Sequence, residues 1–312
     1  MSKPDIGNSF VGPAGVVIDR LVRRFDWLDT ITEEGQNKLS SLERARSAYV
    51  EMIKCMVSGT VYLGSELSIK PALGVPRVQV LGPLDTTLRQ NGDDWTYLGD
   101  TMTGWARIDN VHKLLKDVFD HNIPGDYIET GVWRGGSSMF ARAVMHAYGQ
   151  AHRKSYVCDS FAGLPPSARN LDNLDKGWDG TPYLEVHQDI VVDGFEKYSM
   201  LDENVFFVKG FFNDTMPHVR PLVDSFSVMR LDGDMYESTV DVLYHLYDKL
   251  SVGGYVIMDD WDGFPSKTAC LDFFATHGIS PQVIKIDTLS AYWQKTEQVE
   301  LQYWRYEQNK FK

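Results

Sequence analysis

Glu129-Thr130-Gly131-Val132-Trp133-Arg134-Gly135-Gly136-Ser137-Ser138 is a glycine-rich turn between two regular elements. Before it, Tyr127-Ile128 opens a short buried strand; after it, Ser137 to Ala147 reads as a helix. Outward from this turn, strands and helices alternate. Upstream, Ile108, Val111, Leu114, Leu115, Val118 and Phe119 recur on one helical face that stops before Pro124-Gly125. Downstream, Tyr156-Val157-Cys158, Val205-Phe206-Phe207-Val208, Phe226 to Leu231 and Tyr255 to Met258 are strand-sized apolar runs, and a helix is predicted from Glu237 to Leu250. Parallel neighbours need a crossover, so this alternation predicts a parallel sheet covered by helices on both faces. Near the end, Val283 to Ile286 and Ala291 to Trp293 are separated by only a few residues, which forces that pair antiparallel.

The expected fold class is therefore α/β, with a mostly parallel seven-stranded sheet and a C-terminal antiparallel hairpin. That is the profile of the Rossmann-like class I methyltransferase fold. An amino-terminal helical and lid or oligomerisation region is expected over 1–100, the main domain over 101–300 and a tail over 301–312. Within the first region, Ser40 stands three residues before Glu43 as a capping box. Ala45, Tyr49, Met52, Ile53 and Met56 then follow at helical spacing. From Gly64 to Trp95, prolines and glycines (Pro71, Gly74, Pro76, Gly82, Pro83, Gly92) break every period. The stretch reads as a long irregular connection, either a lid or a tether.

Composition narrows the function classes. The 312 residues carry 31 basic and 43 acidic side chains, a net charge of −12, with no run of Lys or Arg to follow a phosphate backbone. Nucleic acid and anionic membranes are excluded as expected partners. Cys55, Cys158 and Cys270 are odd in number, widely spaced and set in apolar surroundings, as buried thiols of a reducing compartment are. The amino terminus shows no charged leader followed by a long apolar stretch, so a cytoplasmic location is expected.

In an open α/β sheet, ligands bind beyond the carboxyl ends of the strands, so the residues following each apolar run matter most. Glu129 at the first strand end, with Gly131, Gly135 and Gly136, departs from a dinucleotide G-x-G-x-x-G pattern. A pyrophosphate would be repelled there, whereas the cationic sulfonium and amino groups of S-adenosylmethionine would be accepted. Asp159, thirty positions on, ends the second strand beside Ser160, where a carboxylate can accept from both ribose hydroxyls. A helix cap is the alternative, but beside the glycine-rich turn the ribose role is preferred. After the third strand, Gly210 permits close backbone approach and Phe211 offers a flat face for adenine, or packs in the core. Leu231-Asp232-Gly233-Asp234 and Met258-Asp259-Asp260-Trp261 end two further strands. Carboxylates brought together at matched strand ends repel one another, and a hard divalent cation such as magnesium relieves the conflict.

With these motifs in place the chain resembles the macrocin and mycinamicin O-methyltransferases, which methylate deoxysugar hydroxyls on macrolides. The matching segments are ETGVWRGGSS (129–138), DSFAGLP (159–165), KGFFNDTMP (209–217), LDGDMYEST (231–239) and VGGYVIMDDW (252–261), with DTMTG (100–104) upstream and AYWQK (291–295) downstream. The resemblance implies S-adenosylmethionine as methyl donor and a magnesium site formed by Asp232, Asp259 and Asp260. It also implies a donor site including Met102, Glu129, Thr130, Gly131, Ser137, Asp159 and Ser160, with Gly210 and Phe211 beside it. The resemblance also implies Asp232, the first aspartate, as general base; the lysine base of the catechol methyltransferases is absent here, where Met235 stands. The expected partner is a small-molecule natural-product acceptor, and a homo-oligomer, most simply a dimer, is expected. Residues 170–188, including Trp178, Tyr183 and His187, lie where acceptor contacts would fall. His187 and His277 read more simply as a helix start and a helix end. Competing readings are a polyketide or peptide hydroxyl as acceptor, a dinucleotide-dependent oxidoreductase, and a non-catalytic scaffold.

Overall fold

The computed structural model describes residues 40–72, 75–166, 175 and 182–309. Calls on the extreme amino terminus, on Asn170 and Trp178 and on the last three residues lie outside them. The main sheet grows outward from β4 (Asp126–Thr130), with β5 (Ser155–Asp159) and β6 (Val205–Lys209) on one side and β7 (Phe226–Leu231) and β8 (Leu250–Met258) on the other. All five are parallel. The antiparallel hairpin of β9 (Ile284–Lys285) and β10 (Ala291–Gln294) closes the edge beside β8, giving the order β6-β5-β4-β7-β8-β10-β9. The connections leave β4 in both directions, so a crevice opens at its carboxyl end.

Apolar alternation explains the layers. Tyr127, Val157, Val228 and Ile257 point into one core; their neighbours Ile128, Cys158, Met229 and Val256 point into the other. The first core is covered by α1 (Ser41–Val57), α3 (Trp105–Asp120), α4 (Gly136–Ala147) and α5 (Gln188–Lys197). The second lies under α6 (Phe212–Val219), α7 (Tyr236–Leu246), α8 (Pro265–His277) and the short α9 (Tyr303–Asn309). β7 is buried at all six positions, as a central parallel strand must be, while β6 is a half-exposed edge. Cys55, Cys158 and Cys270 are all buried and none is in a disulfide, and burial pushes the thiols of Cys158 and Cys270 up.

The capping box opens α1 as expected: the Glu43 amide donates to Ser40 Oγ at 3.2 Å and the Ser40 amide to Glu43 Oε2 at 2.8 Å. Met52 departs from the expected core face and is 50% exposed, because α1 packs through Val50, Ile53 and Val57 instead. The helix expected to run from Glu237 to Leu250 ends at Leu246; a single 3₁₀ turn follows and Leu250 already belongs to β8.

The largest correction concerns the region from Gly64 to Trp95, whose described residues form a small annex of strands and one helix; the reading of Gly74 lies outside them. β1 (Leu67–Ala72) pairs antiparallel with β2 (Val75–Pro83) and with β3 (Trp95–Thr96), and α2 (Thr86–Asn91) lies between β2 and β3. The fully buried Arg89 holds the annex together, donating to Asp94 at 3.0 Å, Glu66 at 3.3 Å and the Ser58 carbonyl at 2.7 Å. Pro71 and Gly82 sit within its strands and erase the alternation that would have announced them. Among the described residues no helix is long and apolar enough to cross a membrane.

Candidate active site

The glycine-rich turn behaves as its composition requires. Gly131 sits at φ 87°, and a Cβ there would collide with the Asp232 carbonyl, so the ends of β4 and β7 cross at a point that only glycine allows. The Asp232 amide donates to the Thr130 carbonyl at 2.8 Å and keeps these strand ends together. Trp133 follows at φ 51°, in the left-handed region. Asp159 braces the turn from β5: Oδ2 accepts from the Val132 amide at 2.8 Å and Oδ1 from the Phe161 amide at 2.8 Å. Burial still raises its pKa against those bonds.

Above the strand ends lies a cavity of about 470 Å³. Met102, Glu129, Gly131, Ser137, Asp159, Ser160, Phe211, Asp232, Asp259 and Asp260 all line it. Thr130 and Gly210 do not: Thr130 is buried behind the wall, and Gly210, at φ 141°, ties its amide to the Asp159 carbonyl at 2.9 Å. His187 is the exposed N-cap of α5, and Gly278 in the left-handed region ends α8 after His277. Tyr183 stacks on Trp95 at 4.8 Å, while its backbone carbonyl accepts the Trp133 indole N–H at 2.9 Å, at the rim rather than the floor.

The floor is acidic. Oxygens of Asp232, Asp259 and Asp260 lie within 4.8 Å of one another, a donor set that suits a hard divalent cation. These carboxylates are not bare, however. Arg230, wholly buried on β7, donates to Glu129 Oε1 at 2.7 Å, to Asp232 Oδ2 at 2.9 Å and to Asp259 Oδ1. Arg107, from the first turn of α3, donates to Asp259 Oδ2 at 2.7 Å and to Asp287 Oδ2 at 2.6 Å. Glu129 is thus committed to an internal network that also includes Tyr127 at 2.9 Å and Ser138 at 2.6 Å, and its charge is matched before any ligand arrives. Burial would raise Asp259, but Arg107 and Arg230 outweigh it and hold that carboxyl below its usual value. Asp232 rises to about 7 through enclosure and then through Asp259, although 28% of its side chain stays accessible to the cavity. Asp234 rises to about 8, and Asp260 well above the ordinary carboxylate value, by burial and by their mutual repulsion with Asp232. Two guanidiniums cannot balance every carboxylate in the cluster, and the raised groups take up protons instead.

Arg107 and Arg230 are the functional residues that pattern reading missed. Arg230 did leave a signal: a single charge inside Phe226 to Leu231 cannot be buried unpaired. Arg107 left none, since it adjoins Ile108 on an ordinary amphipathic helix.

The macrocin O-methyltransferase (TylF) family profile matches residues 48–295. The 8-demethyl-8-(2,3-dimethoxy-alpha-L-rhamnosyl)-tetracenomycin-C 4′-O-methyltransferase of Streptomyces olivaceus is 36% identical over 257 residues, covering 81% of this chain and 95% of that one. The demethyldecarbamoylnovobiocin O-methyltransferase of Streptomyces niveus is 39% identical over 219 residues, 67% of this chain and 80% of that one. The mycinamicin III 3″-O-methyltransferase of Micromonospora griseorubida is 33% identical over 253 residues, 80% of this chain and 96% of that one. Among solved structures, the O-methyltransferase NovP superposes with a TM-score of 0.72 at 36% identity, over 81% of this chain and all of that one. The oxidoreductase and scaffold readings give way to this kinship. The family match, these identities and the shared fold together mean that the chain belongs to the macrocin O-methyltransferase family, as an S-adenosylmethionine-dependent O-methyltransferase of the class I fold.

Proposed function

We propose that the chain methylates a hydroxyl of a sugar carried by a natural-product scaffold, with magnesium held by Asp232, Asp259 and Asp260 and with Asp232 as general base. The observation that carries this reading is the convergence of those three carboxylates in the cavity that the glycine-rich turn also lines. The donor would lie along Met102, Glu129, Gly131, Ser137, Asp159 and Ser160, with Phe211 beside its base, while Thr130 and Gly210 would only shape the strand ends behind the wall. A bound cation would polarise the acceptor hydroxyl and neutralise the surplus carboxylate charge.

The chain's own residues account for the rest. Arg230 fixes Asp232 through Oδ2 and leaves the cavity-facing part of the carboxylate to receive a proton. The acceptor oxygen forms a bond to the donor methyl as the carbon–sulfur bond breaks, its proton passes to Asp232, and the sulfonium leaves as a neutral thioether. Placement of the two reactants in one walled cavity supplies most of the acceleration. The lining carries Asp175, Asp234, Glu237 and Asp241 in addition to the aspartates already named, against only Arg107 and Arg230. Such walls, with Asp234 holding its proton near neutral pH, suit a polar, neutral glycoside. The three named relatives act on tetracenomycin, novobiocin and mycinamicin precursors, which supports a natural-product acceptor of this kind. A polyketide or peptide hydroxyl remains the second reading, and a homodimer through residues 1–100 belongs to the same proposal.

The test is Asp232→Asn. Turnover should fall by at least a thousandfold while S-adenosylmethionine affinity, read by calorimetry, changes by no more than a few fold. Near-normal methyl transfer in chelator-treated, magnesium-free buffer would remove the cation from the mechanism, and product mass spectrometry across glycoside, polyketide and peptide acceptors would separate the two acceptor readings.

A further inference from the structure

Arg107 is only 6% exposed, yet its guanidinium is incompletely used. Nε donates to Asp287 and Nη1 to Asp259, while Nη2 is buried without any partner. The group is held rigidly, because Asp287 is itself fixed by the amides of Leu289 and Ser290 at 2.8 Å each. Gly92 lies beside Nη2, where an added Cβ would stand 3.7 Å away, and Gly92 and Arg107 both line the cavity. A guanidinium never loses its charge, offers only donors, and is seldom left with an unmet N–H in a protein interior.

The position of Arg107 decides which ligand it addresses. Its partners stand at the end of β8 and in the β9–β10 connection, whereas Asp159 stands at the end of β5. In the order β5-β4-β7-β8 that is three strand spacings, roughly 14 Å. The methyl donor would lie over β4 and β5, so Arg107 stands on the side of the cavity left to the other reactant. We propose that Arg107 determines acceptor specificity: Nη2 donates to an acceptor oxygen other than the one that is methylated, so the site selects a polyoxygenated, sugar-type ring. This inference rests on the functional reading above and adds the residue that reads the ring.

The test measures binding of p-nitrophenyl α-L-rhamnopyranoside and each of its monodeoxy analogues to the S-adenosylhomocysteine complex, with and without Mg²⁺. In the wild-type protein, loss of one particular hydroxyl should weaken binding roughly tenfold to a hundredfold even without Mg²⁺, as for a hydrogen bond to a charged group. Arg107→Lys and Arg107→Gln should erase that penalty and leave those at the other positions. Equal affinities across the series in the metal-free wild-type protein would overturn the inference without recourse to any variant. An unchanged penalty in Arg107→Lys would overturn it too, as would a large loss of S-adenosylhomocysteine affinity in that variant, which would assign the residue to the donor side. If no member of the series binds or accepts a methyl group, the functional reading itself fails.

Discussion

Arg230 is one positive charge claimed by three carboxylates, those of Glu129, Asp232 and Asp259. Removing it would leave those anions packed together out of water, and breaking a buried pair in this way costs about 3–5 kcal/mol. Arg230→Gln should lower unfolding stability by that amount in urea titrations, and adding Glu129→Gln should recover part of the loss, because the two residues share one network. Additive losses would show that the network is looser than its distances imply. The same residue marks how far the site could be read beforehand. Asp232, Asp259 and Asp260 were legible because they stand where two apolar runs end, and strand ends converge by the geometry of the sheet. The counter-charges were not, because an arginine's reach of several bonds lets it arrive from inside a strand or from a helix that no pattern links to the cluster.

Local elements are tied down by residues far away in the chain. The N-cap of α7 is Met235, whose side chain cannot cap; Asp175 supplies the missing acceptors, taking the Tyr236 amide at 2.7 Å and the Glu237 amide at 3.2 Å. That helix begins just after Asp232, so the remote cap also fixes the floor of the site. Asp175→Ala should cost about 1 kcal/mol, up to about 2, in thermal or denaturant unfolding, and Asp175→Asn less, since one oxygen remains. An Asp175→Ala protein as stable as wild type would mean that α7 is capped by solvent. Elements with unbroken periodicity, such as α3 and β7, were readable from sequence. The annex from Glu66 to Thr96 was not, because its order comes from cross-strand pairing and the buried Arg89, neither of which leaves a local period.

Across the whole molecule, charge and stability are linked. Asp232 and Asp234 bind protons more tightly in the folded protein, near 7 and 8, than in an unfolded chain, where an aspartate titrates near 4. A carboxyl whose folded pKa is raised contributes stability that is complete at low pH and is lost as pH climbs through the folded value. The metal-free protein should therefore lose thermal stability between about pH 4 and pH 8 and level off above that, and Mg²⁺ should restore it by an amount that grows over the same window. Differential scanning fluorimetry at several pH values reads both effects; an Mg²⁺ response that is flat or absent would argue against a cation at the three aspartates. At this scale the sequence was most informative: alternation predicted the parallel sheet, and the short final connection predicted the hairpin.

The seclusion of all three sulfur side chains has a practical consequence. With Cys55, Cys158 and Cys270 inside the packed layers, maleimide chemistry has no native target, so one engineered cysteine would take up a dye alone. Placed at Leu98, which is 38% exposed beside the loop whose Gly99 carbonyl receives Arg134, such a reporter would register acceptor entry at the rim through its emission, in the unmodified three-cysteine background.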